Sequence, residues 1–89
     1  MIKLIDMKIL KFYADWCGPC KVLAKNLETV KENHPDLEIE SINVEENEDL
    51  AIKYGIRNVP VLIKLEDDVE TARRVGLATV GDLEKFIYS

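Results

Sequence analysis

Phe12-Tyr13-Ala14-Asp15-Trp16-Cys17-Gly18-Pro19-Cys20-Lys21 is the stretch on which the fold turns. Leading into it, residues 8–14 (Lys-Ile-Leu-Lys-Phe-Tyr-Ala) are rich in strand formers and run into a charged turn at Asp15. From Pro19 onward the period changes. Cys20, Leu23, Leu27 and Val30 recur at spacings of three and four, with Lys21, Lys25, Glu28 and Glu32 on the other side. That pattern predicts an amphipathic helix of about four turns, closed by Asn33-His34-Pro35. A strand therefore hands the chain to a helix through two cysteines set three residues apart.

The rest of the chain repeats this alternation. Leu37 to Val44 reads as a strand, with Glu38 and Glu40 near an outer end, and Glu48 to Tyr54 as a short helix with Gly55 as its C-terminal cap. Val59-Pro60 leads into the apolar run Val61-Leu62-Ile63-Lys64-Leu65, which has the character of an interior strand. Glu66-Asp67-Asp68 forms a turn, Val69 to Val75 the returning antiparallel strand, and Gly76 breaks it. Thr79 with Asp82 three residues later reads as a capping box. It opens a last helix with Val80, Leu83, Phe86 and Ile87 inward. Residues 2–5 (Ile-Lys-Leu-Ile) read as a short extra strand, linked by Asp6-Met7. The expected architecture is α/β, with a central mixed sheet of four to five strands flanked by helices. With no repeat, linker or low-complexity stretch, residues 1–89 make a single domain.

Charge and cysteine usage narrow the function. Seventeen acidic against twelve basic residues give a formal net charge of −5, which argues against nucleic acid or an anionic membrane as partner. Apolar runs are too short to span a bilayer, and the first eight residues carry too much charge for a signal peptide. A cytoplasmic monomer is expected. The chain has two cysteines, where a small secreted scaffold would carry four or more. A Cys17–Cys20 bridge would close a loop of about four residues, worth at most about 2 kcal/mol on the chain-entropy model. Stapling explains the pair poorly.

Chemistry explains it better. At the start of a helix, unpaired backbone N–H groups and the helix dipole stabilise a thiolate at the first cysteine. Gly18 allows a tight turn and Pro19 suits a first helical position. Cys17 is expected to be exposed and nucleophilic, and Cys20, carried one turn inward, buried and resolving. Such a pair exchanges with a substrate disulfide through a mixed disulfide and needs no metal or organic cofactor.

The same ten residues resemble the active-site segment of the thioredoxin family, whose Cys-x-x-Cys motif Trp16-Cys17-Gly18-Pro19-Cys20 reproduces. Lys53-Tyr54-Gly55-Ile56-Arg57-Asn58-Val59-Pro60 is similar to the family's segment ending in a cis-proline, and Gly76 to its glycine after the antiparallel strand. The likeness extends over residues 8 to 89. It implies a thioredoxin-like fold with a shortened N-terminus, and a protein-disulfide reductase in which Cys17 attacks and Cys20 resolves. It further implies that Trp16 shapes the substrate surface and that Pro60 faces the disulfide. The Val59 backbone would pair with an extended substrate segment, and Gly76 would leave room for it. A thioredoxin reductase or equivalent is the implied electron donor, and disulfides in other proteins are the implied substrates.

The chain departs from the family pattern at three places. Lys11 stands where thioredoxins usually place a buried Asp, and Ser41 where a Lys commonly accompanies it. Lys11 is either a modulator of the cysteine pKa values or a lysine that snorkels to water at the sheet edge. Lys25 replaces the kink proline of the long helix, and the N-terminus is short. Competing readings are a glutathione-using, glutaredoxin-like oxidoreductase and a non-catalytic accessory module docking through Trp16 and Val59-Pro60. Half of a zinc site is disfavoured, because His34 is the one remaining soft ligand.

Overall fold

The computed structural model describes residues 6–89, so the strand expected over residues 2–5 lies outside the described residues. Seven elements follow in the order β1 (Met7–Tyr13), α1 (Gly18–Asn33), β2 (Ile39–Asn43), α2 (Glu48–Lys53), β3 (Val61–Glu66), β4 (Val69–Val75) and α3 (Val80–Tyr88). Among the described residues the sheet has four strands in the order β2-β1-β3-β4. β1 and β2 run parallel, while β3 is antiparallel to both β1 and β4. The mixed α/β architecture expected from the sequence is the one observed.

Strand alternation divides the core into two layers. Ile9 and Leu62 point to one face, where they meet Leu23, Leu27 and Val30 of α1 and Leu83 and Ile87 of α3. Leu10, Phe12, Ile42, Val61 and Ile63 point to the other, against Leu50 of α2 and Tyr54 and Ile56 just after it. Val80 and Phe86 of α3 are partly buried against the first layer, as their spacing predicts.

Local chemistry sets the ends of the elements. β2 is shorter than the Leu37–Val44 strand expected, because Leu37 N–H donates to the His34 carbonyl in a turn (2.9 Å). At its other end Asn43 Oδ1 accepts from Glu45 N–H (2.9 Å) and bends the chain away. α2 stops one residue early at Lys53, with Tyr54 as C-cap and Gly55 at φ 64°, a left-handed conformation that favours glycine. The β3–β4 turn places Asp67 and Asp68 at φ 51° and 67°, which short Asx side chains tolerate best after glycine. Thr79 and Asp82 form the expected capping box. α1 runs unbroken for 16 residues through Lys25.

One residue of β3 contradicts its apolar appearance. Lys64 is 5% exposed, directed at the α3 side of the sheet. Its ammonium lies 3.5 Å from Glu66 and donates to the Ser89 carbonyl at 3.4 Å, which partly replaces the water it has lost.

Candidate active site

The site forms where the C-terminal end of β1 meets the N-terminus of α1. Cys17 is the N-cap of α1, in extended backbone geometry, and its Sγ accepts the Cys20 N–H at 3.1 Å. Helix N-termini leave such N–H groups unpaired, so the sulfur sits where negative charge is best tolerated. Pro19 occupies the first turn of the helix, where its missing N–H breaks no bond. Cys17 and Cys20 are joined in a disulfide, with their Cα atoms 5.3 Å apart.

Burial corrects one expectation. Cys17 is 4% exposed, the same as Cys20, rather than open to solvent. The reason is packing: the two sulfurs and Ala14 form a small buried cluster, covered by Tyr13, Val44 and Val59. Val44 is a site residue that sequence reasoning missed. Its signal lies in the topology, because the parallel pair β1–β2 brings Tyr13 and Val44 to one sheet end, where Val44 N–H donates to the Tyr13 carbonyl at 2.9 Å. Gly18 also differs from expectation. It does not have the positive φ of a tight turn, and a Cβ there would meet open space.

The second wall comes from the loop before β3. The Val59–Pro60 peptide is cis, and the Val59 carbonyl oxygen lies 3.8 Å from Cys17 Sγ. Pro60 is buried, and its carbonyl accepts the Gly76 N–H at 2.9 Å, which ties the end of β4 to the site. Gly76 has φ 93° with open space where a side chain would project. Trp16 is 71% exposed beside this cluster, and Val75 and Leu77 are exposed near Gly76. The sequence-predicted residues thus come from three linked segments: Trp16, Cys17, Gly18, Pro19 and Cys20 carry the disulfide, Val59 of the Val59–Pro60 pair touches Cys17, and Gly76 is bonded to Pro60.

Comparison with known proteins settles the family. The thioredoxin family model matches residues 2–89. The chain belongs to the thioredoxin family. It is 34% identical over 80 residues to the thioredoxin of Pseudomonas aeruginosa, covering 89% of this chain and 74% of that one. With the thioredoxin of Bacillus subtilis it shares 38% identity over 77 residues, 85% of this chain and 74% of the relative. Among solved structures, a mutant thioredoxin from Halobacterium salinarum superposes with a TM-score of 0.83 at 38% identity, covering 94% of this chain and 77% of that chain. Fasciola hepatica thioredoxin superposes with the same TM-score at 31% identity, covering 91% and 77%.

As a thioredoxin-family member with an intact Cys17–Cys20 pair, the protein is a thiol-disulfide oxidoreductase of the protein-disulfide reductase type. Its redox group is its own disulfide. Among the described residues, no three His, Cys, Asp or Glu side chains converge to hold a metal ion. No helix of the described residues is long and apolar enough to cross a membrane.

Lys11 lies behind the site rather than at its surface. It is half-buried and shares a cavity of about 320 Å³ with Cys20, Tyr13 and Ser41. Burial pushes its ammonium below the usual lysine range, and the Glu28 carboxylate opposes that shift.

Proposed function

We propose that Cys17 is the attacking sulfur and Cys20 the resolving one, and that a thioredoxin reductase returns the electrons. The observation carrying this is the N-cap geometry, in which Cys17 Sγ receives the Cys20 N–H at the positive end of α1. Exposure does not distinguish the two sulfurs in the disulfide form, whereas helix position does. In the dithiol form, the Cys17 thiolate attacks one sulfur of a substrate disulfide and the other substrate sulfur leaves as a thiolate. Cys20 then loses its proton, attacks Cys17 Sγ and expels the second substrate thiolate. Two electrons have passed to the substrate, and Cys17–Cys20 is again a disulfide.

Substrate docks across Trp16, the Val59 backbone and Gly76. The exposed indole gives an apolar contact, and the positive φ of Gly76 keeps that wall free of a side chain. The Val59 backbone pairs with an extended substrate segment, as strand addition does, and Pro60 holds that segment against the disulfide. Gly18 and Pro19 lie beside Cys17 in the same surface, with bare backbone and open space at Gly18. Protein disulfides are therefore the substrates. The net charge of −5 favours a monomer, and a cysteine pair used for exchange rather than stapling suits a reducing compartment, the cytoplasm.

A coupled assay tests the donor and substrate class together. Insulin reduction is followed with NADPH and a thioredoxin reductase, and in parallel with glutathione and its reductase. Turnover with the first system alone supports the reading. Turnover with glutathione alone replaces it by a glutaredoxin-like function, and activity with neither but with dithiothreitol points to a different donor.

A further inference from the structure

Behind the disulfide, a trough runs between α1 and the sheet edge. On the sheet side stand Lys11 of β1 and Ser41 of β2, which are paired directly in the parallel ladder. On the helix side Cys20, Ala24 and Glu28 recur every four residues and line one stripe of α1. Two cavities, of about 320 and 660 Å³, share Lys11, Ala24 and Ser41 as a common wall. The smaller reaches Cys20, and the larger reaches the exposed Glu28. The trough therefore runs from the buried residue Cys20 out to solvent, with Lys11 on the wall common to both cavities.

We infer that the Lys11 ammonium is a positioning residue for the resolving half of the exchange, where it stabilises the Cys20 thiolate while water in the trough carries the thiol proton out past Glu28. Cys20 gives its proton to water, and its electron pair makes the bond to Cys17 Sγ. The bond from Cys17 Sγ to the substrate sulfur breaks, and the leaving thiolate takes a proton from water. Nothing beyond the dithiol chemistry is required, and the inference rests on that chemistry.

The surroundings of Lys11 favour this role. Its Nζ leans towards the Tyr13 ring, 5.5 Å from the centroid, and so towards the active-site end of β1. Among the described residues no carboxylate lies within ion-pairing distance of it. The charged residues that share its cavities are Lys21, Glu28, Lys31 and Glu32 of α1, Asp15 in the turn after β1 and Glu38 just before β2. Lys31 is engaged by the Pro35 and Leu37 carbonyls, and Glu38 by Lys8. Glu28 is the carboxylate that favours the charged form of Lys11 against the effect of burial. In a half-buried site a cation acts on a nearby thiolate more strongly than it would in water.

Titration of Cys20 in the full chain tests this without any substrate. In a Cys17→Ala background, thiolate ultraviolet absorbance against pH gives the Cys20 pKa directly. Lys11→Met is expected to raise it by about one unit, and Lys11→Arg to leave it within a few tenths. Glu28→Gln, at an exposed position, is expected to lower it by a smaller amount. An unchanged or lowered pKa in Lys11→Met overturns the inference, and so does a raised one in Glu28→Gln. Failure of the dithiol reading appears separately, as no insulin reduction by the wild-type protein while the Cys17→Ala series still shows the Lys11 effect on Cys20.

Discussion

The carbonyl oxygen of Val59 lies 3.8 Å from Cys17 Sγ, across the cis peptide that joins Val59 to Pro60. This contact brings together residues 42 positions apart and makes the redox centre a product of the fold. The strand that carries Pro60 away, β3, lies against β1, which delivers Cys17. Whatever disturbs the β1–β3 pairing should therefore disturb the chemistry too.

Trp16 offers the simplest separation of docking from folding. At 71% exposure it makes little core contact, so Trp16→Ala should change stability by no more than about 0.5 kcal/mol. Loss of its apolar contact should lower kcat/KM for protein disulfides by roughly 5- to 30-fold, mainly through KM. Steady-state insulin reduction and urea unfolding of the same variant check the two halves. Equal loss of stability and activity would make Trp16 a packing residue.

Lys11 should cost stability while serving function. Its folded-state pKa is lowered from 10.5 by burial, with Glu28 opposing. The unfolded chain therefore binds the extra proton between the folded pKa and 10.5, and stability rises with pH in that window. Lys11→Met should be more stable than wild type at neutral pH, and its advantage should shrink as pH climbs towards 10.5. Urea midpoints at a series of pH values measure this. An advantage independent of pH would mean that simple apolar packing by the methionine accounts for it.

The cap of α3 has a pH signature of the opposite sense. Thr79 Oγ1 accepts the Asp82 N–H at 3.1 Å, and Asp82 returns the interaction to the Thr79 N–H at 3.4 Å. Hydrogen bonding to Thr79 holds the Asp82 carboxyl below its ordinary value of 3.8. A depressed carboxylate stabilises the fold above its unfolded pKa, and that contribution is lost as pH falls through the folded value. Thr79→Ala should cost about 1 kcal/mol at neutral pH, a fall in Tm of roughly 4–8 °C. The difference from wild type should narrow below pH 3.8, as thermal melts across the acid range would show.

Leu83 anchors α3 to the layer shared with α1 and is fully buried. Leu83→Ala should destabilise the protein by about 2–5 kcal/mol. For a small domain with total stability of roughly 5–10 kcal/mol, that leaves a substantial unfolded fraction. Denaturant unfolding followed by far-ultraviolet circular dichroism gives the number.

Much of this structure is legible in the sequence because its signals are local. The period change at Pro19, the Thr79–Asp82 pair and the glycines at 55 and 76 each act within a few residues, so α1, the α3 cap and two chain reversals read directly. What escaped depends on distant residues. Lys64 looks like a lapse in an apolar strand until Glu66 and Ser89 are seen beside its ammonium. The buried cluster of Ala14, Cys17 and Cys20 has Val44 and Val59 packed against it, residues that only the pairing of β1 with β2 and β3 brings there. The cis state of Val59–Pro60 is not a local signal either, since most X-Pro bonds are trans, and it was expected here from the family resemblance alone. The trough at Lys11 falls between these cases: the sequence marked the residue as unusual, while the cavity that gives it a role forms only between α1 and β2.

The most direct test of the account is a single-turnover reaction of pre-reduced protein with insulin, comparing wild type, Cys17→Ser and Cys20→Ser. Wild type should reduce one insulin disulfide per molecule and end as the Cys17–Cys20 disulfide. Cys20→Ser should stop at a mixed disulfide through Cys17, visible as a mass adduct, and Cys17→Ser should form none at a comparable rate. An adduct trapped on Cys20 with equal speed, or insulin reduction surviving in Cys17→Ser, would contradict the assignment of Cys17 as the attacking sulfur.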